Sequence, residues 1–214
     1  MISGFYIPAI ILFSSFTVNL IISILVASKE AFYTGGIFSI VGYILAAGII
    51  VVVRTFPFAV GLSIRRADYF IGSVVMGFIV SIIFTTVIFL MGQLEVLTNG
   101  WGNNLHFFHL PYLNDGTLSE QFLVYLIILI HLFFSGFLIS SFAKRFGGKG
   151  MFLLALVLFL LGSIAVYLIH NYGLWSVIFQ WFSAHTALQL AYWLLAFVFI
   201  YLLASFLLLR KASV

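Results

Sequence analysis

The 214-residue chain is 64% hydrophobic and 7% charged, with nine Lys and Arg against five Asp and Glu and a formal net charge of +4. A soluble domain carries about 25% charged residues to face water, so lipid must be the solvent for much of this chain. The basic residues are few and scattered between apolar runs, which excludes a nucleic-acid binder; with no Cys, disulfides and thiolate metal sites are excluded as well.

Taken in order, the stretches free of Asp, Glu, Lys and Arg predict an all-α integral membrane protein. It is expected to form a single transmembrane domain over 1–214, with no soluble domain on either end. Six spans are expected, near 7–27, 36–53, 70–92, 121–143, 151–169 and 188–209, each close to the roughly 20 residues that cross a hydrocarbon core about 30 Å thick. Helices satisfy their own backbone in lipid, and these runs are too long and too uniformly apolar for β-barrel strands of about 10 residues. No Lys or Arg precedes the first run, the pattern of a retained span rather than of a cleaved signal peptide. The stretch Gly150–Leu209 lacks charge for 60 residues. It is too long for two spans alone, and its more polar middle, His170–Thr186, predicts a short amphipathic outer helix before span six.

With both termini in the cytoplasm, Arg54, Arg65, Arg66, Lys144, Arg145, Lys149, Arg210 and Lys211 are all inside. Only Lys29, beside Glu30, is outside, which is the bias expected of loops on the two faces. Glu30, Glu95, Asp115 and Glu120 also fall outside. The outer loop Gln93–Glu120 is rich in Gly, Asn and aromatics, and Trp101, Phe107, Phe108 and Tyr112 suit a segment lying at the membrane–water boundary.

Enzyme motifs are missing. Phe146-Gly-Gly-Lys-Gly150 lacks P-loop spacing, and there is no His-Glu-x-x-His, no Gly-x-Ser-x-Gly and no carboxylate pair inside a span. His131 is the one ionisable side chain near the middle of a span. It is a candidate proton carrier or substrate contact, against the plainer reading of a neutral imidazole bonded to a neighbouring helix, with Ser135 one turn away. His106 and His109 could in principle share a metal, but loop histidines are more often ordinary polar residues, so no metal site is expected. Small or polar residues fall in register in three spans: Ser15, Asn19 and Ser23; Gly35, Ser39, Gly42 and Ala46; Ser73, Gly77, Ser81 and Thr85. Helix–helix packing is the expected use, with Asn19 kept as an amide that could line a path between subunits.

The segment Arg54–Gly72, between spans two and three, is the most informative. Thr55 is a plausible N-cap with Pro57 in the first turn, Gly61 allows an exit, and Ser63 is a plausible second N-cap for a helix running through Asp68 into span three. This predicts a short aromatic helix along the membrane surface, with Phe56, Phe58 and Val60 in need of lipid headgroups or a partner's groove. The string Phe-Pro-Phe-Ala-Val-Gly-Leu-Ser-x-Arg-Arg-x-Asp-Tyr-Phe-x-Gly resembles the intracellular loop of type 2 ABC transporter permeases, especially the small six-span exporter subunits of bacteria. That resemblance implies a coupling helix containing Phe56, Pro57, Phe58, Ala59 and Gly61, flanked by Arg65, Arg66 and Asp68, docking on a separate ABC ATP-binding subunit dimer. It further implies a non-enzymatic permease in the bacterial plasma membrane, working as a homodimer or with a second permease. ATP and Mg would sit on the partner, with no cofactor in this chain. The apolar composition suits export of a hydrophobic or amphipathic peptide, lipid or antibiotic. Such permeases usually begin with a basic amphipathic helix, whereas here the first span starts almost at Met1. The alternatives are a proton-coupled secondary transporter using His131, and a non-transporting membrane scaffold or intramembrane hydrolase. Ser135 and His131 lie four apart, but no third group completes a hydrolase.

Overall fold

The computed structural model describes residues 3–26 and 31–212; Lys29 and Glu30, expected on the outer side, lie outside the described residues. The helices are α1 (Ser3–Val26), α2 (Phe38–Gly61), α3 (Arg66–Leu97), α4 (Leu118–Asn171), α5 (Trp175–Ser183) and α6 (Ala187–Arg210). All but α5 are long and apolar enough to cross a membrane, which makes this a multi-pass helical membrane protein. A two-residue parallel pairing of β1 (Phe32–Tyr33) with β2 (Leu105–His106) ties the segment before α2 to the long loop after α3.

The first half of α4 is the hub, packing against α2, α3 and α6. Its buried Phe133, Phe134 and Phe137 fill the centre of the bundle. Lipid tails are as apolar as Leu, so helices here associate through close packing rather than through removal of surface from water. The closest approach is reciprocal. A Cβ on Gly48 of α2 would sit on the Phe133 carbonyl, and a Cβ on Gly136 of α4 would sit on the Leu45 carbonyl.

The buried stripe of α2 is Ile40, Ile44, Gly48, Val52, Phe56 and Ala59. It is not the expected Gly35, Ser39, Gly42 and Ala46 row: Gly35 precedes the helix, and Gly42 is exposed with no atom near a Cβ built on it. Small residues mark a contact only where a neighbouring backbone comes close, and here the close neighbour faces Gly48. On α3 the expected row is the packing face, with Ser73, Ser81 and Thr85 buried and Gly77 against the Phe133 ring.

Two local expectations are corrected. No new helix starts at Thr55; α2 runs unbroken through Pro57 to Gly61. Thr55 bonds backward to the Val51 carbonyl instead of capping forward. Ser63 is likewise no cap: it takes φ 58° in the turn, and Arg65 stands at the N-cap of α3. The turn is thus the tip of a continuous two-helix hairpin.

The helix α4 is 54 residues long but is interrupted at Gly147, whose φ of 68° and ψ of −170° are non-helical. Among the described residues none from 142 to 186 is buried, so the arm 148–171 and α5 stand clear of the core. Both α4 and α6 start with a reciprocal capping box, Thr117 with Glu120 and Thr186 with Gln189, which satisfies two orphan N–H donors at each start.

Candidate functional site

Charge gathers at the two ends of the bundle. At the end carrying the α2–α3 turn, Phe56 is fully buried and meets Tyr69 edge-on at 5.3 Å, and the Tyr69 hydroxyl lies 2.9 Å from Thr55 Oγ1. Ala59 is buried too, and Pro57 is half-buried. These residues fasten the tip to the bundle. Phe58, by contrast, is 69% exposed, and Leu62 and Ile64 beside it are exposed as well. Gly61, Arg65 and Asp68 are exposed and Arg66 half-exposed. The expected coupling residues therefore split into an anchoring set and a presented set. Phe58 is thus an exposed aromatic beside arginines at a helix–helix turn, free of core packing and open to lipid headgroups or to a partner.

Two arginines of this end hold the last turn of α6. Arg66 Nη1 donates to the carbonyls of Arg210 (2.8 Å) and Leu209 (3.3 Å), and Arg145 Nη1 donates to the carbonyl of Lys211. Unpaired carbonyls and the negative end of the helix dipole both favour guanidinium there. The clamp joins the start of α3, the end of α6 and the part of α4 just before Gly147.

Mid-bundle, His131 faces Tyr201 of α6 with ring centroids 5.3 Å apart, and its Nδ1 is buried with no hydrogen-bond partner. Ser135 does not reach it; its hydroxyl donates to the Leu132 carbonyl of its own helix. Asn19 spends its amide on the Ser15 carbonyl of α1. Among the described residues, no third group joins Ser135 and His131.

The opposite end is organised by a residue that charge counting placed merely outside. Glu95, in the last turns of α3, is fully buried. Its Oε2 accepts from Trp101 Nε1 (3.1 Å), Phe107 N (3.0 Å) and Phe108 N (2.8 Å), and its Oε1 from His109 N (3.0 Å). His106 Nδ1 stands 3.6 Å from Oε1, and the His106 ring stacks on Tyr33 at 4.7 Å. A buried carboxylate near a helix C-terminus is doubly unfavourable unless donors surround it; three successive backbone N–H groups form such a nest. The loop is thereby drawn inward. Phe107 and Phe108 are buried in the bundle rather than resting at a membrane boundary. Trp101 takes φ 59°, an unusual conformation for a bulky residue, held by its indole bond. Tyr125 of α4 continues the knot, its hydroxyl 2.9 Å from the Phe108 carbonyl and 2.7 Å from Asn114 Oδ1. Tyr112 donates to the His185 carbonyl, 2.9 Å away, just before α6.

Among the described residues no group of three His, Cys, Asp or Glu could hold a metal. No protein-family model matches the chain, and neither a curated protein nor a solved structure is significantly similar to it.

Proposed function

We propose that this chain is the permease subunit of an ATP-driven ABC exporter, with its ATPase on a separate partner. The observation that carries the reading is Phe58, 69% exposed at the tip of a rigidly anchored hairpin, inside the string that resembles the permease coupling loop. The docking element is then the last turn of α2 together with the turn that follows, not a detached helix. Phe58 and Leu62 enter a groove of the ATPase, while Phe56 and Tyr69 pass its displacement into the bundle. Arg66 carries that movement on to α6.

Six crossings in a bacterial plasma membrane, both ends cytoplasmic, belong to the same proposal. Eight of the nine basic residues fall on one side in that arrangement. The bonds from Arg66 and Arg145 to α6 support a common inner level for residues 66, 145 and 209–211. Six spans are half an exporter, so a second copy or a second permease completes it. The cargo is hydrophobic or amphipathic.

The test is affinity purification in mild detergent from the native membrane. The unaltered chain brings down a P-loop ATPase, Phe58→Ala loses it, and both proteins remain equally abundant and folded. Full association and transport in Phe58→Ala would overturn the coupling role.

A second reading rests on His131, whose buried Nδ1 lacks a partner: a proton-coupled transporter. It predicts uptake or efflux that depends on a proton gradient and vanishes in His131→Ala, with no ATPase in the purified complex.

A further inference from the structure

Between α1, α3 and the loop held by Glu95 lies a largely enclosed cavity of about 150 Å³. Leu12, Phe13 and Phe16 of α1 form one wall and Val87 and Met91 of α3 another, with Trp101 and Phe108 closing the loop side. The lining exposes no polar surface. The loop beside it is rich in N–H groups, but the Trp101 indole N–H and the Phe108 backbone N–H both point away, onto the Glu95 carboxylate. The carboxylate thus strips the wall of donors, leaving ring faces and hydrocarbon. Phe16 meets Trp101 edge-on at 4.8 Å and packs at 5.8 Å against Phe108.

An apolar cavity of about 150 Å³ stays dry and admits an apolar guest such as benzene. Here the α1 wall faces lipid, with Phe13 60% and Ile10 66% exposed. Whatever enters comes from hydrocarbon, and it finds no partner for a headgroup or a charge.

We propose that this cavity binds the end of an alkyl chain belonging to an amphiphile dissolved in the membrane, with the loop 98–110 as its fixed roof. As a statement about cargo, that chain being part of what is exported, it rests on the permease reading; as a statement about a site it does not.

The experiment uses the full chain alone in lipid nanodiscs, without an ATPase, so failure here leaves the permease reading standing. Two probes are compared, each with a diazirine at the end of an alkyl chain: a single-chain lysophospholipid and a two-chain phospholipid. After photolysis, adducts are mapped by mass spectrometry on the unaltered chain, on Val87→Phe, which fills the cavity, and on Ile79→Phe, on the lipid-facing part of α3. Adducts concentrated at 12–16, 87–91 and 101–108 are expected. They should fall about tenfold in Val87→Phe, the loss that follows from excluding roughly two buried methylenes, and persist in Ile79→Phe. Labelling by either probe that falls in Val87→Phe and persists in Ile79→Phe supports the site, and the stronger of the two identifies its source as free amphiphile or bilayer lipid. Adducts spread over all lipid-facing helices of the unaltered chain overturn the proposal. So does labelling by both probes that Val87→Phe leaves unchanged.

Discussion

Glu95 accepts four N–H groups, three of them backbone, within a fully buried site. Removing it takes the acceptor from four donors in a buried site, each left unsatisfied at a cost of about 1–3 kcal/mol. Glu95→Ala should therefore release the loop, read as new protease cleavage between 98 and 116 in vesicles that present this face. Glu95→Gln should do nearly as badly, since it replaces one acceptor oxygen by a donor facing donors. Unchanged protection in both would show that ring packing alone holds the loop. This residue was hard to see in the sequence, where it counts only as an acid beyond a span. Its partners are mostly backbone N–H groups, which every residue but proline carries, so the nest leaves no mark in side-chain identity. Phe107 and Phe108 misled for the same reason: aromatics near a span end suit a boundary belt equally well, and only the inward pull of Glu95 decides between them.

For the elements, the all-helical membrane class followed from the absence of charge, because lipid enforces helices; among the described residues five long apolar helices stand where six spans were expected, since 118–171 forms one helix interrupted at Gly147. Contacts between elements were legible only in part. The row on α3 was read correctly as a packing face, whereas on α2 the contact is one glycine, Gly48, set among bulky residues. Gly48→Leu should push α2 off α4, at about 1–3 kcal/mol or more for overpacking, and lower the melting temperature in detergent. Gly42→Leu, on the exposed side, should leave it within error. Equal effects would mean that the crossing at Gly136 is not the limiting contact. The turn between α2 and α3 misled because proline within a run reads as a new start. Pro57 lies in the last turns of α2, with Phe56 and Ala59 buried on either side, so tertiary packing keeps the helix continuous despite the missing N–H.

Across the whole molecule the question is how the chain returns after Gly147. Unbroken, α4 would be about 81 Å long, far beyond a hydrocarbon core of about 30 Å. Arg145 touches the end of α6, and Tyr112 touches His185, two residues before its start. In the six-crossing arrangement proposed above, the arm 148–171 is the fifth crossing, leading back to the loop end. The chain has no cysteine, so single replacements can be labelled cleanly in sealed cells with a membrane-impermeant maleimide. Asp115→Cys and Tyr172→Cys should react from outside, and Ser63→Cys and Gly148→Cys only after lysis. If 148 and 172 share a side, the arm does not cross.

The arginine clamp on α6 has an uneven genetic signature. Arg66 and Arg145 grip carbonyl oxygens, and those of Leu209, Arg210 and Lys211 would be there whatever side chains stood at the three positions. The address is written wholly on one side of the joint. Replacements at 209–211 that keep the helix can be silent at that joint, whereas a single change of either arginine erases part of it, and no compensating mutation in α6 can restore what was lost.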